Sequence, residues 1–137
     1  MVQFLAHHKN EKELHLLFER MNFTLYDKLD LDGPFSINDT LGLSIQLFTA
    51  LDYLESECII HRDLKPTNIL LNQTCRHLKI CDFGCAKEIT NFDEKFSPYM
   101  CSRFYRAPEL IFGIEIYDFK IDIWSAGCVM AEMLCAR

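Results

Sequence analysis

His61-Arg62-Asp63-Leu64-Lys65-Pro66-Thr67-Asn68 gathers an acid, a base, a cation and an amide within eight residues. Pro66, the sixth of them, lacks a backbone donor and restricts the residue before it, so one long helix through the stretch is disfavoured. The stretch reads as a catalytic loop. Just downstream, Ile69-Leu70-Leu71 and Leu78-Lys79-Ile80 flank the polar Asn72-Gln73-Thr74, the pattern of two short strands and a turn. The second strand runs directly into Cys81-Asp82-Phe83-Gly84, so both polar clusters lie at strand ends, where side chains can converge on one ligand.

Upstream, Ser36-Ile37-Asn38-Asp39 resembles a capping box with aspartate in place of glutamate. Behind it Leu41, Ile45 and Phe48, and on the adjoining face Leu47, Leu51 and Leu54, recur at steps of three and four, which predicts a core helix from Ile37 to Ser56. That helix delivers the chain to His61. Before it, Phe23 to Leu31 reads as a short helix ended by Asp32-Gly33-Pro34. The apolar runs Val2 to Ala6 and Leu14 to Phe18, parted by polar residues 9–13, predict a β-hairpin, which is marginal in water alone and needs a partner to pack on. Glu19-Arg20-Met21 then breaks the apolar run.

On the other side of the loop, Cys85 to Tyr105 is weakly periodic, with a break at Ser97-Pro98, and predicts a loop of some 20 residues, a length associated with function or mobility. Arg106-Ala107-Pro108-Glu109-Leu110 follows. From Ile121 a strongly apolar helix begins and still runs near Arg137; apolar on nearly all sides, it reads as buried.

Composition bounds the partners. With 137 residues, 50% hydrophobic and 12% aromatic, the chain has the content of one globular domain. A formal net charge of -6 argues against nucleic-acid binding through a general basic field, so any anion site must be local. Seven cysteines form no CxxC pair and read as buried, reduced thiols of a cytosolic protein. No apolar run reaches the roughly 18 residues of a membrane span, and no signal segment is visible. A soluble cytoplasmic protein, with the nucleus as a second location and no membrane partner, is the expectation.

Any of these clusters alone is weak evidence, but their order and spacing are specific. His61-Arg62-Asp63-Leu64-Lys65-Pro66-Thr67-Asn68, then Asp82-Phe83-Gly84, then Ala107-Pro108-Glu109, resembles the protein-kinase signature set. The resemblance implies an α+β, protein-kinase-like fold that is incomplete: residues 1–21 as a remnant small-lobe β-hairpin and hinge, and 22–137 as a mainly helical large-lobe portion with catalytic loop and activation segment. It implies ATP and Mg2+ as cofactors and protein substrates as partners. Asp63 would orient the substrate hydroxyl and accept its proton, Lys65 would contact the transferred phosphate, and Asn68 and Asp82 would hold magnesium. Lys65 at that position favours serine/threonine over tyrosine specificity. Asp122 would brace the catalytic loop from the following helix, Glu109 would close its motif as a structural residue, and His61 reads as structural, not as a base.

The finer resemblance is to the glycogen synthase kinase 3 family and spans essentially the whole chain. It rests on Cys101-Ser102-Arg103-Phe104-Tyr105-Arg106-Ala107-Pro108-Glu109-Leu110-Ile111-Phe112-Gly113, on Ile123-Trp124-Ser125-Ala126-Gly127-Cys128, and on Asp82-Phe83-Gly84-Cys85-Ala86-Lys87, where cysteine replaces the expected serine. By that resemblance Glu19, Arg20 and Met21 form the hinge that meets adenine, with Phe18 behind it as gatekeeper. Tyr99 matches an activation-loop tyrosine phosphorylated in the family, with a packed aromatic as the plainer reading. Arg62 and Lys87 match two of three basic residues that bind a priming phosphate, with a solvated surface charge as the plainer reading of Lys87. Scaffold proteins are further partners in this family.

The sequence departs from the family in showing no glycine-rich phosphate loop, strand lysine or helix glutamate before the hinge, and none of the lower large-lobe helices past the one starting near Asp122. Those departures imply weakened nucleotide clamping and exposed apolar helix faces. Two expectations follow: part of a serine/threonine kinase, or a non-catalytic kinase-like interaction module. The presence of Asp63, Lys65, Asn68 and Asp82 favours the first.

Overall fold

The computed structural model describes residues 1–91, 93–100 and 102–136. Phe4–Lys9 (β1) and Leu14–Phe18 (β2) pair antiparallel, with an irregularity between Phe4 and Ala6. The first strand thus lies further along than the expected Val2 to Ala6. Asn10 closes the turn: its side-chain oxygen accepts the N–H groups of Lys12 and Glu13 at 2.9 and 2.8 Å. Every residue of both strands is exposed, so the hairpin buries neither face, in line with its need for a packing partner.

Phe23–Thr24 (β3) leads into Leu25–Asp32 (α1), later than the expected start at Phe23. The reason is a complete capping box: Thr24 Oγ1 accepts the Asp27 N–H at 3.0 Å while Asp27 Oδ2 accepts the Thr24 N–H at 3.1 Å. Gly33 ends α1 at φ 79°, a conformation costly for other residues. Ile37–Ser56 (α2) has the predicted limits. Its cap is half a box: Ser36 Oγ accepts the Asp39 N–H at 3.1 Å, but Asp39 accepts from the Ser36 hydroxyl and not from its backbone.

Two apolar stripes compete for the core face of α2, and only one is buried. Leu43, Leu47, Leu51 and Leu54 are at most 4% exposed, whereas Leu41 and Ile45 are 58% and 59% exposed. The buried stripe is the one that meets the sheet and the last helix. That sheet has the order β3-β5-β6, with Ile69–Leu71 (β5) and Lys79-centred Leu78–Ile80 (β6) antiparallel as the sequence suggested. Ile59–Ile60 (β4) pairs with Lys87–Glu88 (β7), a strand inside the segment expected to be loop. A two-residue strand leaves too short a pattern to read.

Pro108–Ile111 (α3) and Lys120–Cys135 (α4) complete the described elements. On α4, Ile121, Ser125, Val129 and Met133 form the buried stripe, while Ile123, Trp124 and Leu134 are 42–49% exposed, so the helix is not apolar-buried all round. Arg137, where the helix was expected still to run, lies outside the described residues, as does Cys101. The six described cysteines are free, as expected, but none is fully buried. They occupy loops and strand ends or, at Cys128 and Cys135, the flank of α4 beside its buried stripe. Among the described residues no helix is long and apolar enough to cross a membrane.

Candidate active site

β4 ends at Ile60, fully buried, and the chain then turns through His61 to Lys65. Arg62 sits at φ 65°, a left-handed conformation that costs a non-glycine residue on the order of 1–3 kcal/mol. It is held there by Asp122 of α4, 3% exposed, whose Oδ2 accepts the His61 N–H at 2.6 Å and whose Oδ1 accepts the Arg62 N–H at 3.0 Å. Burial pushes the Asp122 carboxyl up, against the downward pull of these two donors.

His61 is fully buried and joins two motifs. Its Nε2 donates to the Cys81 carbonyl at 3.0 Å, its Nδ1 accepts the Asp63 N–H at 3.3 Å, and its ring meets Phe83 edge-on at 5.0 Å. The imidazole is thus used up by the fold, as a structural residue is.

Leu64 anchors the loop in the core at 1% exposure, and its neighbours Asp63 and Lys65 project together on the other side. Lys65 Nζ lies 2.7 Å from Asp63 Oδ2. Asn68, 6% exposed in the 3-10 turn Pro66–Asn68, directs Nδ2 to the Asp63 carbonyl at 2.9 Å and to Oδ2 at 3.2 Å, which leaves its amide oxygen for ligation. Ser102, from the segment before α3, completes the cluster: its N–H and O–H donate to Asp63 Oδ1 at 3.0 and 2.9 Å, and its Oγ accepts from Lys65 at 3.0 Å. Burial alone would raise the Asp63 carboxyl, but the hydrogen bonds from Lys65 and Ser102 outweigh it and hold the group below the usual carboxylate range. Ser102 escaped the sequence reading as a site residue because nothing local marks a serine 39 positions from its partner.

Asp82 follows β6 at φ 60°, exposed, with Oδ1 accepting the Gly84 N–H at 3.2 Å. A Cβ at position 84 would come within 3.1 Å of that oxygen, so glycine allows the close turn. Asp82 borders a cleft of about 590 Å³ together with Phe18 and Glu19 at the end of β2, Leu16, Leu70 of β5, and Cys81. Burial and the neighbouring Asp82 charge push the Cys81 thiol up. Leu70 is a wall residue that the sequence reading did not single out. Met21, half-buried, is not among the residues bordering the cleft, nor is the exposed Arg20.

Arg62 and Lys87 both approach the Phe96 ring: the guanidinium and the ammonium lie 6.0 and 5.8 Å from its centre. Arg62 Nε donates to the Cys85 carbonyl at 2.6 Å, and Lys87 pairs with Glu94 at 3.1 Å. Tyr99 is 81% exposed, against the reading of a packed aromatic. Glu109 lies half-buried in α3, where its backbone carbonyl accepts the Ile114 N–H at 3.0 Å, and it makes none of the hydrogen bonds around Asp63.

A buried histidine linking an acid-bearing loop to an Asp-Phe-Gly turn beside a cleft defines a class, and residues 1–137 match the protein kinase domain family: the chain belongs to it. It is similar to kinases of the glycogen synthase kinase type. It is 57% identical over 92 residues to glycogen synthase kinase 1 of Pyricularia oryzae, covering 67% of this chain and 23% of that protein. It is 45% identical over 135 residues to protein kinase gsk31 of Schizosaccharomyces pombe and 44% identical over 134 residues to serine/threonine-protein kinase RIM11/MSD1 of Saccharomyces cerevisiae, each covering 94% of this chain and 35% and 36% of the relative. Cyclin-dependent and mitogen-activated kinases match too, at 39% and 40% identity. The chain thus spans about a quarter to a third of the length of these relatives.

Proposed function

We propose that the protein is a serine/threonine protein kinase of glycogen synthase kinase 3 type, transferring the γ-phosphoryl group of ATP to a protein serine or threonine hydroxyl. The observation that carries this reading is the convergence of Lys65, Asn68 and Ser102 on one carboxylate, Asp63. Phosphoryl transfer asks a protein chiefly to orient the nucleophile and offset charge. Asp63, held ionised by its neighbours, orients the incoming hydroxyl and takes its proton as the new oxygen–phosphorus bond forms and ADP departs. Lys65, already beside that carboxylate, places a cation where the transferred group would pass.

The donor set suits a hard divalent ion: the Asn68 amide oxygen and the Asp82 carboxylate would hold Mg2+, which takes oxygen ligands and keeps waters and phosphates as the rest. When bound, that ion neutralises phosphate charge. The apolar walls of the cleft, Phe18 and Leu70, suit an adenine ring, with Glu19 as the hinge residue whose backbone meets its edge. In this reading residues 1–21 are the small-lobe hairpin and hinge and 22–137 the large-lobe portion. The cations Arg62 and Lys87, both beside Phe96, support substrates that carry a priming phosphate, and the exposed Tyr99 supports phosphorylation of the activation segment.

The test is magnesium-dependent phosphate transfer to a primed serine peptide by the 137-residue chain and by Asp63→Asn. Loss of a positioned proton acceptor should slow transfer on the order of 10²- to 10⁴-fold. Equal, background-level rates in both would overturn catalysis by this chain and leave the interaction-module reading.

A further inference from the structure

The β5–β6 pair has two faces with different tasks. Ile69, Leu71, Leu78 and Ile80 enter the core, at 0 to 8% exposure. Strand alternation turns Leu70 and Lys79, which pair with each other across the two strands, to the opposite face, where Leu70 borders the cleft. Lys79 pairs there with the carboxylate of Glu19, which also borders the cleft. The same oxygen of Glu19 accepts the Gln3 N–H at 2.6 Å. Glu19 N–H donates to the Gln3 carbonyl at 2.9 Å, and Val2 N–H donates to the Ile80 carbonyl at 3.0 Å. One carboxylate therefore joins the entry to β1, the exit from β2 and the strand that ends at Asp82. The apolar side chains of the hairpin are exposed, so these polar contacts, and not hydrophobic packing, place it beside the cleft.

We propose that Glu19 and Lys79 are positioning residues for the nucleotide: their ion pair sets the spacing between the hairpin wall and β6, and so the width of the cleft. This rests on reading the cleft as the nucleotide site. The side chains are 24% and 32% exposed, a range in which an ion pair adds little to global stability, so its effect falls on local geometry. Consistently, hydrogen bonds from Lys79 and from the Gln3 N–H hold the Glu19 carboxyl below its usual range.

The experiment compares Lys79→Met, which keeps an apolar stem, with Lys79→Arg, which keeps the charge. Amide hydrogen exchange, the urea midpoint and affinity for Mg-ADP are read on the full chain. Lys79→Met should speed exchange across Leu14–Phe18 and weaken Mg-ADP binding, each about two- to fivefold, the range that a partly exposed ion pair spans, with the urea midpoint little changed. Lys79→Arg should restore both. Unchanged hairpin exchange in Lys79→Met, or altered exchange with unaltered Mg-ADP affinity, overturns the positioning role. If exchange responds and is rescued by arginine but the unmutated chain binds no Mg-ADP, the tie between hinge and β6 stands and the nucleotide reading alone falls.

Discussion

Removing the Asp122 carboxylate tests whether the catalytic loop is held by α4. Asp122 is 3% exposed and accepts two backbone N–H groups, from His61 at 2.6 Å and Arg62 at 3.0 Å. Asp122→Ala leaves the buried His61 N–H and the partly buried Arg62 N–H without an acceptor, at about 1 to 3 kcal/mol for a fully buried donor, so about 2 to 6 kcal/mol is the upper range of the expected cost. The strain of Arg62 at φ 65° also loses its restraint, and the loop can relax away from that conformation. Relaxation recovers part of the loss, so about 3 kcal/mol is the central expectation. Against a total of roughly 5–15 kcal/mol for an ordinary domain, that is a large fraction. Asp122→Asn is the milder partner variant: its amide oxygen still accepts one N–H, while its NH₂ group faces the other donor. The assay is urea unfolding followed by far-ultraviolet circular dichroism, with amide exchange at His61 and Arg62 as the local readout. The expected order of destabilisation is Ala over Asn over the unmutated chain. An Asp122→Ala chain within about 0.5 kcal/mol of the unmutated one, the range of featureless surface changes, with His61 and Arg62 amides still protected, would refute this reasoning.

The two helix caps should each be worth about 1 kcal/mol. Thr24→Ala removes the acceptor of the Asp27 N–H while the backbone N–H of residue 24 still donates to Asp27 Oδ2, and Ser36→Ala removes the acceptor of the Asp39 N–H together with the hydroxyl that donates to Asp39 Oδ2; an unchanged urea midpoint in either variant would count against that cap. Asp63 should titrate below the usual carboxylate range, because the hydrogen bonds from Lys65 and Ser102 favour the carboxylate over the upward push of burial. Its ionisation therefore contributes stability above the unfolded-chain pKa, and that contribution is lost as pH falls through the lower folded value. Carboxyl-carbon NMR should show Lys65→Met moving the Asp63 midpoint upward, and an unmoved midpoint would remove Lys65 as a cause. Finally, Lys87→Ala should reduce transfer to phosphate-primed peptides more than to unprimed ones, since Lys87 and Arg62 share the Phe96 ring; equal loss on both would remove the priming assignment.

The helix from about Ile37 to Ser56 was legible because a serine cap and long apolar periodicity agree there. So were β5, an apolar triplet, and β6, whose Leu78 and Ile80 alternate with Lys79. Which stripe of α2 is buried was not legible: Leu41 and Ile45 are as apolar as Leu43 and Leu47, and the choice is made by what packs against the helix. β7 was missed for a related reason, since Lys87–Glu88 has no strand pattern of its own and is a strand only because Ile59–Ile60 lies beside it.

The candidate site divides along the same line. Asp63, Lys65, Asn68 and Asp82 could be named from the chain alone, because motif order and spacing are properties of the sequence and local constraints such as Pro66 act over a few residues. What only the tertiary structure decided is how those groups are held: Asp122 beneath the loop, His61 joined to Cys81 and Phe83, Ser102 on Asp63, and Glu19 tied to Lys79. Each of those contacts spans 20 to 61 positions, and a hydrogen bond acts over about 3 Å, so no local pattern can announce it before the chain has folded.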